Sequence, residues 1–211
     1  MASNIIYKLA EDLPSAVPRQ AGLPGVQPRA EAEVSNWAGL TETSSAALPT
    51  LARYWRTVGK TDWTPAGTPW SAAFVSEVMQ PYGLPPRSAH YQYAQAVVGG
   101  NAQGWTAYQI DGPVHLATGD ILLRPRGSGT PADEEYWWSH GDIVFKVDSR
   151  AHWVGGNLDD RLKTGSYGVG PDGADLGGDY ILLLRPPQKK SVLPGLIGLA
   201  LLAVVLKLSR G

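Results

Sequence analysis

Three observations predict an α+β domain. Apolar residues recur at helical spacing through the first half of the chain, four short β-type runs occupy the second half, and Gly, Pro, Ser and Asp punctuate the junctions. Helices first and strands after, with no internal repeat, favour segregated elements over an alternating α/β sheet. At 211 residues the chain suffices for one globular domain with a sizeable core.

Residues 1–29 are expected to form an extended N-terminal arm, because "EDLPSAVPRQAGLPGVQPR" is too rich in Pro and Gly for packed secondary structure. The start, "MASNIIYKLAEDLP", lacks a basic segment followed by an apolar core, so no cleavable signal peptide is expected. A globular domain is assigned to residues 30–187. Its first helices place Ala30, Val34 and Trp37 near one face, then Leu48, Leu51, Tyr54, Trp55 and Val58, stopping at Gly59. In "TPWSAAFVSEVMQPYG", Thr68 is the expected N-cap and Pro69 a first-turn residue. Trp70, Phe74 and Val78 line one face of that helix, which Gly83 ends. "RSAHYQYAQAVVGG" reads as a further helix, capped by Ser88 and closed by Gly99-Gly100.

The period then changes to two. "GDILLRPR", "SHGDIVFKVD", "HWVGGN" and "GDYILLLRP" are the four β-runs. Asp120 in the first reads as a turn residue. "GVGPDGADLGGD" lacks the acidic spacing of an EF-hand and is expected to be a flexible loop bordering the cleft.

Residues 188–211 differ from the rest. "KKSVLPGLIGLALLAVVLKLSRG" is uncharged from Val192 to Leu206. Counted to Leu208 it spans about 25 Å as a helix, a little under a hydrocarbon core of roughly 30 Å. Lys189, Lys190, Lys207 and Arg210 can snorkel to the two interfaces. The expectation is a C-terminal hydrophobic, transmembrane helix and a membrane-associated protein; a helix docking on a protein partner is the alternative. Basic residues at both ends leave its orientation open.

Composition excludes several classes. Lys and Arg number 18 against 19 acidic residues, which argues against nucleic acid bound by bulk charge. The absence of cysteine excludes disulfides, thiolate metal sites and a thiol nucleophile. No histidine pair has the i, i+4 spacing of a helical zinc site and no Gly-rich phosphate loop precedes a helix, so no metal or cofactor is expected. Eight Trp and nine Tyr against two Phe suit half-wet clefts as well as cores.

Within "SHGDIVFKVD", alternation puts His140, Asp142 and Val144 on one face and Ile143, Phe145 and Val147 on a core face. A two-residue turn at Ser149-Arg150 would set Asp148 opposite Ala151 and Asp142 opposite Asn157, giving Asn157 the face of His140. A three-residue turn would move Asn157 to the other face.

In order, a residue opening a helix, a "GD" strand, a His-bearing strand and a polar residue beyond it resemble the NlpC/P60 and CHAP superfamily of papain-like peptidoglycan amidases and endopeptidases. More closely, "YWRTVG", "PWSAAFVSEVM", "SAHYQYAQ", "GDILLRPR", "SHGDIVFKV" and "VGGN", from about Glu33 to Pro186, resemble a bacterial and phage domain family of unknown function. The arm and the tail lie outside this resemblance. It implies a papain-like α+β fold with N-terminal helices on a small antiparallel sheet. It also implies Ser71 at the nucleophile position, His140 as base and Asn157 orienting the base, with Asp142 a second candidate for that role. The superfamily's nucleophile is cysteine. A serine hydroxyl cannot be held as an anion beforehand and must lose its proton to His140 during attack.

Candidate residues for a substrate cleft are Trp70, His90, Trp138 and Trp153, with Trp105 and Trp137 beside them; His90 also reads as a structural histidine among tyrosines. The expected function is a membrane-anchored peptidoglycan amidase or endopeptidase, with peptidoglycan or muropeptide and a lipid membrane as partners. The alternative is an inactive wall-binding or virion-associated module, its arm docking on a neighbouring protein. The corresponding locations are a bacterial envelope or a phage virion or membrane.

Overall fold

The computed structural model describes residues 5–125 and 139–188. Among them are the helices α1 (Ile5–Ala10), α2 (Val26–Asn36), α3 (Leu48–Thr57), α4 (Ser71–Met79) and α5 (His90–Val98). The strands are β1 (Thr106–Gln109), β2 (Ile121–Pro125), β3 (Ser139–Val147), β4 (Arg150–Gly155), β5 (Lys163–Gly170), β6 (Gly173–Ala174) and β7 (Leu182–Arg185). All pairings are antiparallel, in the order β1-β7-β2-β3-β4-β5-β6. Val114, soon after β1 at one edge, bridges to Ala174 in β6 at the other, so the sheet curls. The α+β expectation holds at this level.

Alternation along the strands builds two cores. Ile121, Leu123, Ile143, Val154, Leu182 and Leu184 face the helices and join the main cluster with Leu51, Tyr54, Phe74 and Val78. Leu122, Val144, Ala151 and Leu183 face the other way and pack with Tyr180 and Leu176. The helices are cross-linked by polar groups. The Arg53 guanidinium donates to Glu33 at 2.7 and 2.8 Å and to Glu77 at 2.9 Å. Glu33 also accepts the buried Tyr54 hydroxyl at 2.6 Å, tying α2 to α3. Prolines fall where helices tolerate them: Pro28 and Pro49 sit in first turns, where no intrahelical N–H is lost.

Several sequence expectations are corrected. The N-terminal 29 residues are not extended throughout: α1 lies within them and α2 begins at Val26, burying Ile6, Ala10, Val26 and Ala30. Residues 14–23 carry no helix or strand but are strapped to the domain. The Gln109 N–H donates to the Pro14 carbonyl at 3.1 Å and the Leu23 N–H to Thr118 at 2.8 Å. The Gln20 amide donates to the Pro186 carbonyl at 3.2 Å, and the Arg185 guanidinium to that of Pro18. Asp120 is more than a turn residue, being fully buried in a two-pronged pair with Arg185 at 2.9 and 2.6 Å. The "GVGPDGADLGGD" stretch is no cleft-bordering loop. It supplies the end of β5 and all of β6, and Ala174 and Leu176 enter the second core.

The β3–β4 register also departs from expectation. Phe145 is an extra residue on β3, between the pairs Val144–Trp153 and Lys146–His152. This bulge reverses the alternation, so Val147 joins the second core while Ile143 and Phe145 stay with the first. Asp142 pairs with Gly155, not with Asn157, which lies beyond the strand in the left-handed region at φ 54°.

Trp137, Trp138 and the hydrophobic tail fall outside the described residues. Among the described residues no helix is long and apolar enough to cross a membrane.

Candidate active site

Helix α4 opens at Ser71, with Trp70 as its N-cap. The expected cap, Thr68, instead accepts the Thr64 N–H at 3.1 Å through its hydroxyl. The first intrahelical bond runs from the Phe74 N–H to the Trp70 carbonyl at 3.0 Å. The N–H groups of Ser71, Ala72 and Ala73 therefore have no acceptor within the helix. Trp70 anchors this turn. It is fully buried, stacks on Trp37 at 4.4 Å, and donates its indole N–H to Glu42 at 2.8 Å. Burial pushes the Glu42 carboxyl above its ordinary value, against the opposing Trp70 hydrogen bond. Trp70 thus serves the core rather than the cleft for which it was a candidate.

Ser71 Oγ lies between two imidazoles, 2.9 Å from His90 Nε2 and 3.3 Å from His140 Nδ1. His140 Nε2 is 3.0 Å from Asp142 Oδ1, and the Tyr180 hydroxyl donates to Asp142 Oδ2 at 2.5 Å. On the other side, His90 Nδ1 meets the Tyr93 hydroxyl. Ser71, His140 and Asp142 are 3 %, 1 % and 0 % exposed.

A carboxylate only accepts, so His140 Nε2 carries a proton; with His140 as the neutral imidazole that a general base must be, Nδ1 is a lone pair and the hydrogens run in one direction. Ser71 then donates to His140. Its oxygen accepts from His90 Nε2–H, and His90 Nδ1 accepts from Tyr93. Burial and the Asp142 charge hold the Tyr93 hydroxyl well above its ordinary value, so it keeps its proton. Tyr180 is likewise raised, first by burial and then by Asp142.

Two glycines make room for this cluster and a third for the Trp70 anchor beside it. A Cβ on Gly155 would come within 1.9 Å of Asp142 Oδ1, and one on Gly141 within 2.7 Å of both His90 Nδ1 and the Tyr93 hydroxyl oxygen. A Cβ on Gly156 would meet the Trp70 ring at 2.7 Å. The "HGD" and "VGGN" motifs are thus spacing devices as well as strand ends.

A cleft of about 300 Å³ reaches Ser71 and His90. Its walls include Trp55, Pro69, Ala72 and Tyr91, with Lys60, Ser88 and Ser139 as polar groups. His140 is absent from that lining. Trp153 is on β4 and stacks with Tyr167 at 6.5 Å; neither it nor Trp105, which donates to the Tyr82 carbonyl, lines the cleft. Sequence reasoning missed Tyr180, Tyr93, Trp55, Tyr91 and Lys60. The i, i+3 spacing of His90 and Tyr93 on one helix was the available signal for one pair. No metal-binding cluster of three His, Cys, Asp or Glu occurs among the described residues.

Comparison of the chain with protein-family models, with curated proteins and with solved structures returned no match in any of the three.

Proposed function

We propose that this protein is a serine hydrolase acting on an amide or peptide bond of peptidoglycan, held at the membrane by residues 192–206, on a papain-like scaffold. The observation that carries the chemistry is the unbroken hydrogen-bonded series Ser71–His140–Asp142. In the reaction, Ser71 Oγ attacks the substrate carbonyl carbon while its proton passes to His140 Nδ1. Asp142 holds the resulting imidazolium through Nε2. The N–H groups opening α4 face developing negative charge with a helix dipole behind them. His140 returns the proton to the departing amine, and water, activated by the same imidazole, hydrolyses the acyl-serine.

Asp142, rather than Asn157, orients the base in this scheme, because it contacts His140 Nε2 directly. The substrate class rests on the sequence resemblance and on a cleft that joins aromatic walls to a lysine. The near-complete burial of Ser71 favours a second reading, a wall-binding or virion-associated module that no longer turns over substrate.

The test incubates the full chain with purified sacculi and identifies released muropeptides by mass spectrometry, beside Ser71→Ala and His140→Ala. New products that both substitutions abolish name the bond. Sacculus binding without products, in a protein whose Ser71 resists fluorophosphonates, would replace the hydrolase with the binding module.

A further inference from the structure

We infer that His90 is a second catalytic imidazole, whose Nε2–H stabilises negative charge on Ser71 Oγ. The inference rests on Ser71 acting as nucleophile, and assigns a role to a group that the Ser71–His140–Asp142 series leaves unused.

Of the two imidazole contacts to Ser71 Oγ, that of His90 is the shorter, 2.9 against 3.3 Å. The direction of the hydrogens makes His90 the donor and His140 the acceptor. His90 also borders the cleft, whereas His140 does not line it. Two features support this tautomer. The Tyr93 hydroxyl can donate to Nδ1, leaving Nε2 to carry the proton, and Gly141 leaves the space in which that pair forms. Burial of Tyr93 keeps the hydroxyl protonated.

A donor aimed at an oxygen favours its anionic form over its neutral form. This is the assistance a serine needs at a position where a thiol would ionise readily. As the Oγ–carbon bond forms, the serine proton moves to His140 Nδ1 and His90 keeps its own. When the acyl-serine is hydrolysed, Oγ leaves carbon with growing charge, and the same N–H supports it until His140 returns the proton. His90 therefore exchanges no proton over the cycle.

The chain contains no cysteine, so Ser71→Cys would place a single thiol at this atom. In the full-length protein, the pH dependence of iodoacetamide alkylation reads that thiol's pKa. Adding His90→Phe should raise it by about one unit. His90→Gln, whose amide can still donate, should hold it near the parent value. Tyr93→Phe, which frees the tautomer without touching His90, should also raise it and guards against misfolding of the His90→Phe variant. A pKa unmoved by both Phe substitutions, or raised equally by Gln and Phe at position 90, overturns the inference. In the Ser71 protein, His90→Phe should lower kcat by about 100-fold with little change in KM. Absence of turnover in the parent protein, with the thiol still responding to His90, would instead count against the hydrolase and leave the hydrogen bond standing.

Discussion

Asp142→Asn tests the proposed catalytic series most directly, because it exchanges one oxygen for an NH2 in a fully buried side chain. Asp142 accepts from His140 at one oxygen and from Tyr180 at the other. An asparagine cannot accept at both. If its oxygen keeps the Tyr180 hydroxyl, its NH2 faces His140 Nε2 and becomes the donor there. His140 then carries its proton on Nδ1, pointing at Ser71 Oγ, and cannot take the serine proton. Loss of the correct tautomer in a serine–histidine–carboxylate series costs about 10⁴ in rate, equivalent to about 5.5 kcal/mol of barrier. Stability should suffer much less. Two charge-assisted bonds become neutral ones, a loss of roughly 1–3 kcal/mol, partly offset because a buried charge disappears. At about 3 °C per kcal/mol for a domain of this size, the melting temperature should drop by roughly 3–9 °C at most. The assay is the rate of Ser71 phosphonylation by a fluorophosphonate, followed by intact mass spectrometry with Ser71→Ala as blank. Labelling of Asp142→Asn within tenfold of the parent rate would refute the assignment of Asp142.

Gly155→Ala should push the Asp142 carboxylate away from His140, since the new Cβ would lie 1.9 Å from Oδ1. A destabilisation of about 1–3 kcal/mol and loss of labelling are expected. Gly168→Ala on β5, with nothing within 4 Å of the added carbon, should shift stability by less than about 0.5 kcal/mol. Glu33→Ala removes the acceptor of the buried Tyr54 hydroxyl and one of the two carboxylates on Arg53, and should cost about 1–3 kcal/mol by urea unfolding. Glu42 gives a pH dependence of definite sign. Its folded pKa is raised above 4.5, so between that value and the folded one the native state holds more protons than the unfolded state. Stability should therefore fall as pH rises through that window. Glu42→Gln should flatten this part of the stability profile, and an unchanged profile would count against burial as the cause.

Much of this arrangement was legible in the sequence because it depends on local pattern. Two-residue alternation placed His140 and Asp142 side by side on β3, and the aliphatic runs marked β2, β3 and β7. The missed strands lack that pattern. β5 carries three glycines, and one of them, Gly165, is needed because a Cβ there would lie 2.3 Å from the Trp153 ring. A strand kept clear for a neighbour's indole shows no apolar alternation of its own. The Phe145 bulge was equally hidden, since it is defined by the register between two strands and not by either one. Together with a three-residue turn, which pairs Val147 rather than Asp148 with Ala151, it moved Asn157 out of line with Asp142. Tyr180 reached the site for a related reason: it precedes β7, yet β7 is two strands away from β3, and only the sheet order brings the two together. The strapped arm shows the same limit, because its prolines announce extended backbone but say nothing of the carbonyls that Gln109 and Arg185 bind.

The cost of the site bears on whether it works. Ser71, His90, His140 and Asp142 are each at most 5 % exposed, in a region where apolar side chains of similar volume would satisfy packing without buried polar groups. A serine serving only to start α4 would need neither imidazole, and a histidine serving only the sheet rim would need no buried carboxylate. The glycines at 141 and 155 add to that cost, because each forgoes a side chain so that a polar contact can form. Such sites cluster where a fold gives up stability for chemistry. On the proposed reading both neighbours of Ser71 are needed: His140 would remove its proton, and His90 would steady the oxygen that remains.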